Sequence, residues 1–377
     1  METVISRISQ TLLAAAGAGI VTLALAVSPA HAANEDVLRE RAYDQSLSIA
    51  ERVAAIRELH NFPEGKLVER TVCIWDIVGR SGPIWAAAQD QRSQILEYGV
   101  DVNLLPFTNE TVIAEELKSG RCDAALMSGL RARLFHRYAG SIDAIGAVPS
   151  EKHMELLLKV LAHPNTAPKM VSGEYVILGI APAGAAFVFV NDRSITSLAK
   201  AAGKKVAVLD YDKTQAEMVA QVGATPIATD ITRAPAMFNN GVVDVLAAPL
   251  VAYEALELYK GMTPNGGIVD YPLAQITMQM IGRSEKFPNE LAQLVREAFY
   301  QGYDQIMNRL GEEAGKVPDK WWIALPEEDK QEYEVMMQQA RLDLRERGYY
   351  DADMLTLQRK IRCKLDQSRA ECTNPVE

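Results

Sequence analysis

GAAFVFVNDRSITSLAKAAGKKVAVLDYD, residues 184–212, decides how the whole chain is read. The run 185–190 is apolar and rich in β-branched and aromatic side chains, the composition of a strand. Asn191-Asp192 signals a turn, residues 197–202 fit a short helix stopped by Gly203, and residues 206–209 fit a second buried strand. Strand, short crossover and strand make one unit of a parallel sheet. A comparable unit has already run its course between Thr71 and Met127, so the stretch opens a second α/β lobe. Two lobes with a hinge between them point to a ligand held in a cleft.

Upstream, residues 70–77, 100–107 and 123–127 read as strands and residues 83–98 and 110–118 as helices. The order βαβαβ with short loops requires a parallel sheet. Residues 34–60 are charged and helical in character. Downstream come a helix over 213–222 that Asp212 and Gln215 would cap reciprocally and a strand over 225–229. A helix over 231–238 with Asp230 as its N-cap, a strand over 242–247 and a helix over 251–260 follow. Residues 273–281 then alternate with period two, placing Gln275, Thr277 and Gln279 on one face and Ala274, Ile276, Met278 and Met280 on the other. Amides in an otherwise buried strand fit either an edge with one wet face or a strand running between the lobes with Gln275 and Gln279 toward the cleft. From 289 to 364 the pattern is mostly helical.

The 377 residues carry 48% hydrophobic and 23% charged side chains, an ordinary globular composition. A formal net charge of −10 argues against a nucleic-acid partner. Residues 1–32 read as a cleaved secretory signal peptide: Arg7, an uncharged apolar core over 12–27, and Ala30-His31-Ala32 as a small-residue cleavage site. No later segment is long and apolar enough to span a bilayer, so the mature chain is expected in the periplasm without membrane insertion. Export gives the four cysteines a disulfide reading. Cys363 and Cys372 would close a small loop in a polar tail, and Cys73 and Cys122 each sit at a strand start, yet three pairings are open to four cysteines. No cysteine pair has metal-ligand spacing, and neither metal nor cofactor is expected.

Motifs of catalysis are missing. His60, His136, His153 and His163 are scattered, and the chain holds no HExxH, no G-x-S-x-G and no P-loop, which favours binding over turnover. In parallel α/β sheets ligands sit beyond the carboxyl ends of the strands. The loops there supply Asp76, Arg80, Ser81, Ser128, Arg131, Arg133 and Tyr211. Gly79, Arg80 and Ser81 precede a helix whose N–H groups and dipole could receive an anion. The three arginines offer planar forks for a carboxylate. Asn191, Asn239, Gln275 and Gln279 complete the candidate set.

Gly203-Lys204-Lys205 before a strand, GATP at 223–226 and GVVD at 241–244 resemble the solute-binding proteins of tripartite ATP-independent periplasmic (TRAP) transporters. SGLRAR at 128–133, GSIDAIGA at 140–147, APLVAYEALELYKG at 248–261 and the RC…AEC near the C-terminus narrow the resemblance to AdeT-type solute-binding proteins. It implies a two-lobe periplasmic-binding-protein-like α/β fold, with crossing hinge strands and a C-terminal helical region bracing both lobes. The expected division is a leader (1–32), a first lobe (33–184), a second lobe (185–273), a crossing strand with bracing helices (274–350) and a C-terminal helix with a disulfide-closed tail (351–377). The implied function is capture of a small polar or anionic ligand by hinge closure and its delivery to a membrane transporter. The alternative is an accessory protein of an envelope or drug-efflux complex that keeps the fold. The resemblance also implies an Arg for the ligand carboxylate on the strand after Gly-Lys-Lys, where this chain has Ala207.

Overall fold

The computed structural model describes residues 29–63, 65–196 and 199–377. Residues 1–28 of the expected leader lie outside them, as do Ser197 and Leu198 of the expected 197–202 helix. Ten strands are present in the described residues: β1 (Val68–Trp75), β2 (Val100–Phe107), β3 (Ala124–Ser128), β4 (Val171–Ser172), β5 (Tyr175–Val190), β6 (Lys205–Leu209), β7 (Thr225–Thr229), β8 (Val245–Pro249), β9 (Gly267–Arg283) and β10 (Trp322–Ile323). They form a single sheet in the order β2-β1-β3-β9-β5-β8-β6-β7, with β10 beside β9 and β4 beside β5.

In the first lobe β1 pairs in parallel with both β2 and β3, as the βαβαβ pattern requires. The opening stretch is different. Residues 185–190 are the far half of β5, which starts at Tyr175, and β5 is antiparallel to β8 and β9. The parallel pairs of the second lobe are β6 with β7 and β6 with β8. The expected parallel unit across residues 184–212 is therefore corrected: β8 lies between β5 and β6. Pro182 and Gly184 mark a register shift inside β5, where a missing N–H and a φ of +92° at Gly184 are tolerated.

The 16 residues of β5 and the 17 of β9 span roughly 50 Å each, long enough to serve both lobes. Near one end β9 pairs with β3 of the first lobe. At the other, β5 pairs with β8 of the second. Two crossing strands thus join the lobes, and both carry the irregularities that let a sheet bend. Each lobe has its own core, with Ile74, Ile113, Met127 and Leu157 in the first and Phe189, Phe238, Leu246 and Ile268 in the second. The C-terminal part braces both. Trp321 packs in the second core and donates Nε1–H to the Tyr253 hydroxyl at 2.9 Å, while Met354 and Ile361 pack in the first.

Local chemistry sets several boundaries. Asn109 caps the helix Glu110–Lys118 by accepting from the N–H groups of Thr111 and Val112. Asp212 caps Lys213–Gln221 by accepting from Gln215 N–H, but the expected reciprocal bond is absent, because Gln215 Oε1 accepts from Leu209 N–H instead. The expected 83–98 helix divides at Gln91, and the helical run from 289 divides at Gly302. The cysteines pair as Cys73–Cys122, tying β1 to the entry of β3, and Cys363–Cys372, closing the tail. No helix among the described residues is long and apolar enough to cross a membrane.

Candidate functional site

A cavity of about 1410 Å³ runs along one face of the sheet and between the lobes. Its floor is the crossing strands, through Ala181, Ala183 and Ala186 of β5 and Ala274, Ile276, Met278 and Met280 of β9. Because side chains alternate across a strand, this puts Gln275, Thr277 and Gln279 on the opposite face. All three are buried there. Gln279 Nε2 donates to Ala139 O at 2.9 Å and to Thr277 Oγ1 at 3.0 Å, fastening the sheet to the Arg137–Gly140 turn. The amides are not among the residues lining the cavity, contrary to the cleft-facing reading.

Of the other sequence candidates, Asp76, Ser128 and Arg133 line the cavity. Asp76 is committed to the backbone: its carboxylate accepts from Val78, Ile84 and Trp85 N–H, holding the start of the Pro83–Asp90 helix. A Cβ on Gly82 would fall 1.8 Å from that carboxylate, so the turn requires glycine. The anion-receiving end expected at Gly79–Ser81 is thus occupied from within. Arg80 and Ser81 are exposed, with Arg80 over the Trp85 ring at 5.5 Å. Ser128 accepts from Arg131 N–H and donates its hydroxyl to Glu110. Asn191 donates to Asp244, and Asn239 braces a turn by donating to Leu256 O and accepting from Gly261 N–H.

The arginines of SGLRAR reach across the lobes. Arg131 is 4% exposed, donates to Thr111 Oγ1 at 3.0 Å, and stacks on Tyr211 of the second lobe with its guanidinium carbon 3.5 Å from the ring centroid. Neither Arg131 nor Tyr211 lines the cavity. Arg133 does; it donates to Asp212 Oδ2 at 3.2 Å and to the Tyr349 hydroxyl, which in turn donates to Asp212. Its guanidinium also lies over the Tyr349 ring, 3.9 Å from the centroid. First lobe, second lobe and C-terminal segment therefore meet at one ion pair that faces the cavity. A further interlobe bond runs from Thr232 Oγ1 to Thr108 O.

Composition and motif reading did not single out Asp143 or Tyr349. Asp143 is 3% exposed, lines the cavity and accepts from both Thr277 N–H and Thr277 Oγ1–H. A Cβ on Gly129 would stand 2.4 Å from the Asp143 carboxylate, which explains the glycine opening that helix. Burial pushes the Asp143 carboxyl up to about 7, with the Thr277 hydrogen bonds and the Arg133 charge pulling the other way. Unfolded, the group ionises near 4. Between these values the native state holds the extra proton, so stability falls as pH rises from about 4 to 7, by at most ~1.4 kcal/mol per pH unit. Asp143→Asn is expected to flatten that slope; urea unfolding at pH 5 and pH 7 measures it, and an unchanged slope would clear Asp143 of the effect. Among the described residues no group of three or more His, Cys, Asp or Glu gathers as metal ligands.

Comparison with known proteins gives consistent matches. The family model described as Solute-binding protein AdeT 1/2 matches residues 84–377. Probable solute-binding protein AdeT1 of Acinetobacter baumannii is 40% identical over 299 residues, covering 79% of this chain and 98% of that protein. Probable solute-binding protein AdeT2 of the same organism is 28% identical over 233 residues, 62% of this chain and 98% of that one. In fold, the chain is similar to a TRAP periplasmic solute-binding protein from Desulfovibrio salexigens with bound orotic acid, at a TM-score of 0.64 and 16% identity over 79% of this chain and 99% of that one. It is also similar to one from Shewanella oneidensis with bound succinate, at a TM-score of 0.62 and 12% identity over 78% and 99%.

Proposed function

The chain belongs to the AdeT 1/2 family of solute-binding proteins, and from that premise we propose that it is a periplasmic protein that captures a small polar or anionic ligand by hinge closure and hands it to a membrane transporter. The observation that carries this reading is the Arg133–Asp212–Tyr349 contact, because it joins both lobes directly over the cavity. A polar or acidic ligand group entering while the lobes are apart would meet the Arg133 guanidinium, and the Asp212 carboxylate returns to Arg133 beside it as the second lobe closes. Arg131 stacked on Tyr211 closes the lobes without touching the solute. The lobes divide near Gly184, where the register of β5 shifts. Acids bound by similar folds support solute capture, and two disulfides fit an oxidising compartment reached through the cleaved leader. Binding proceeds without turnover.

Native mass spectrometry of protein purified gently from its own periplasm tests the proposal. A co-purifying small molecule is expected, and adding it at a hundredfold excess over its dissociation constant should stabilise the fold by about 2.7 kcal/mol. The second reading, an accessory of an envelope or drug-efflux complex, draws on Arg133 being already paired inside the protein. A chain that carries no small molecule and gains no stability from any solute offered would decide for it.

A further inference from the structure

We infer that the ligand is an amphipath: a large apolar body laid along the sheet, with a single polar head at the Arg133 end of the cavity. This rests on the reading of solute capture and narrows it. At about 1410 Å³ the cavity exceeds the roughly 300–1,000 Å³ of ordinary small-molecule pockets. Its floor offers methyl and alkyl groups from Ala183, Ala274, Ile276 and Met278, and Ala207 of β6 and Leu126 of β3 extend it.

The exposed Gln94, Gln305 and Arg309 lie on the helices around this space, whereas the polar groups buried deeper along it are bonded within the protein. Asp76 caps a helix, Ser128 bonds Glu110, Asp143 bonds Thr277, and Arg133 is held by Asp212 and Tyr349. A polyhydroxy acid or a short dicarboxylate enclosed against these buried groups would leave several hydroxyl or carboxylate oxygens without partners, each a desolvation cost. One buried lining group stands apart. Thr229, the last residue of β7, is 1% exposed and its hydroxyl has no hydrogen-bond partner. That hydroxyl and the Arg133–Asp212 pair line the same cavity and suffice for one head group. An alkyl or aryl body laid on this floor removes apolar surface from water on both sides of the contact, a gain that a polyol or dicarboxylate does not make.

The test uses the mature full-length chain and N-phenyl-1-naphthylamine, an uncharged apolar fluorophore, with decanoate, 1-octanol, succinate and gluconate as competitors. Saturable fluorescence at about one probe per chain is expected, displaced by decanoate or octanol and untouched by succinate or gluconate at a hundredfold higher concentration. Decanoate displacing far better than octanol assigns the head as anionic, and equal displacement assigns it as uncharged. Ala274→Phe, which fills the floor, should weaken the probe about tenfold. Ala183→Leu gives the same readout should the larger side chain prevent folding. Probe binding that ignores both substitutions lies elsewhere on the protein and overturns the inference. Stabilisation by succinate or gluconate, with no probe binding, overturns the amphipath and leaves solute capture standing. Binding of none of these compounds, together with no co-purifying small molecule, removes both.

Discussion

Arg362→Met is expected to destabilise the protein by about 3–5 kcal/mol, the cost of removing one partner from a buried charge network. Arg362 is fully buried, and its guanidinium donates to Glu371 at 2.7 and 2.6 Å, to Glu377, and to Ala147 O at 2.7 Å. Arg341 adds a bond to Glu377 at 2.6 Å and one to Ile145 O at 2.8 Å. The last residues of the chain are thereby anchored to the backbone of GSIDAIGA in the first lobe. Methionine matches the stem but leaves Glu371 and Glu377 facing each other with less positive charge between them. Burial alone would raise the Glu371 carboxyl; the Arg362 hydrogen bonds and charge outweigh it and pull the group down to about 2. A carboxyl depressed on folding contributes stability that is present above its unfolded value, near 4.3, and lost as pH falls toward 2. The gap between wild type and variant should therefore narrow in acid. Urea midpoints at pH 7 and pH 3 check this, with limited proteolysis of residues 366–377 as a second readout. Equal midpoints at pH 7 would show that the tail contributes nothing.

Asp212→Asn is expected to open the lobes. The Arg133 and Asp212 side chains are only 8% and 4% exposed, so the pair is shielded from the solvent that weakens surface ion pairs. With asparagine, Arg133 keeps its ring contact with Tyr349 but loses its counter-charge, and opening lets water reach the guanidinium. Small-angle scattering should record a larger radius of gyration for the unliganded variant. Whatever the ligand, its apparent affinity should fall by the fraction of molecules left closed, about tenfold for a shift of 1.4 kcal/mol. Tyr349→Phe retains the ring and removes only the hydroxyl, so a smaller effect of the same sign is expected. Unaltered scattering and unaltered affinity in Asp212→Asn would dismiss the pair as a latch.

What the sequence determined was local and periodic. Residues 100–107, 110–118 and 225–229 read as the elements they form, because short alternating runs, an Asn cap and flanking turn residues act within a few positions. Two α/β lobes and a C-terminal helical region follow from such elements in order. The pairing of Cys73 with Cys122 needed the tertiary structure, because four cysteines permit three connectivities and only the β1–β3 neighbourhood selects one. The same limit hid the direction of β5: residues 185–190 read alone as the opening strand of a parallel unit, and only pairing shows them to be the far half of an antiparallel strand that begins at Tyr175. It also hid which face of β9 looks at the cavity, since period two separates Gln275 and Gln279 from Ala274 and Ile276 without saying which set the solute meets. Folding then spent the candidate charges on one another. A sequence shows that Arg133 and Asp212 exist; only the approach of two lobes, 79 residues apart along the chain, makes them a pair.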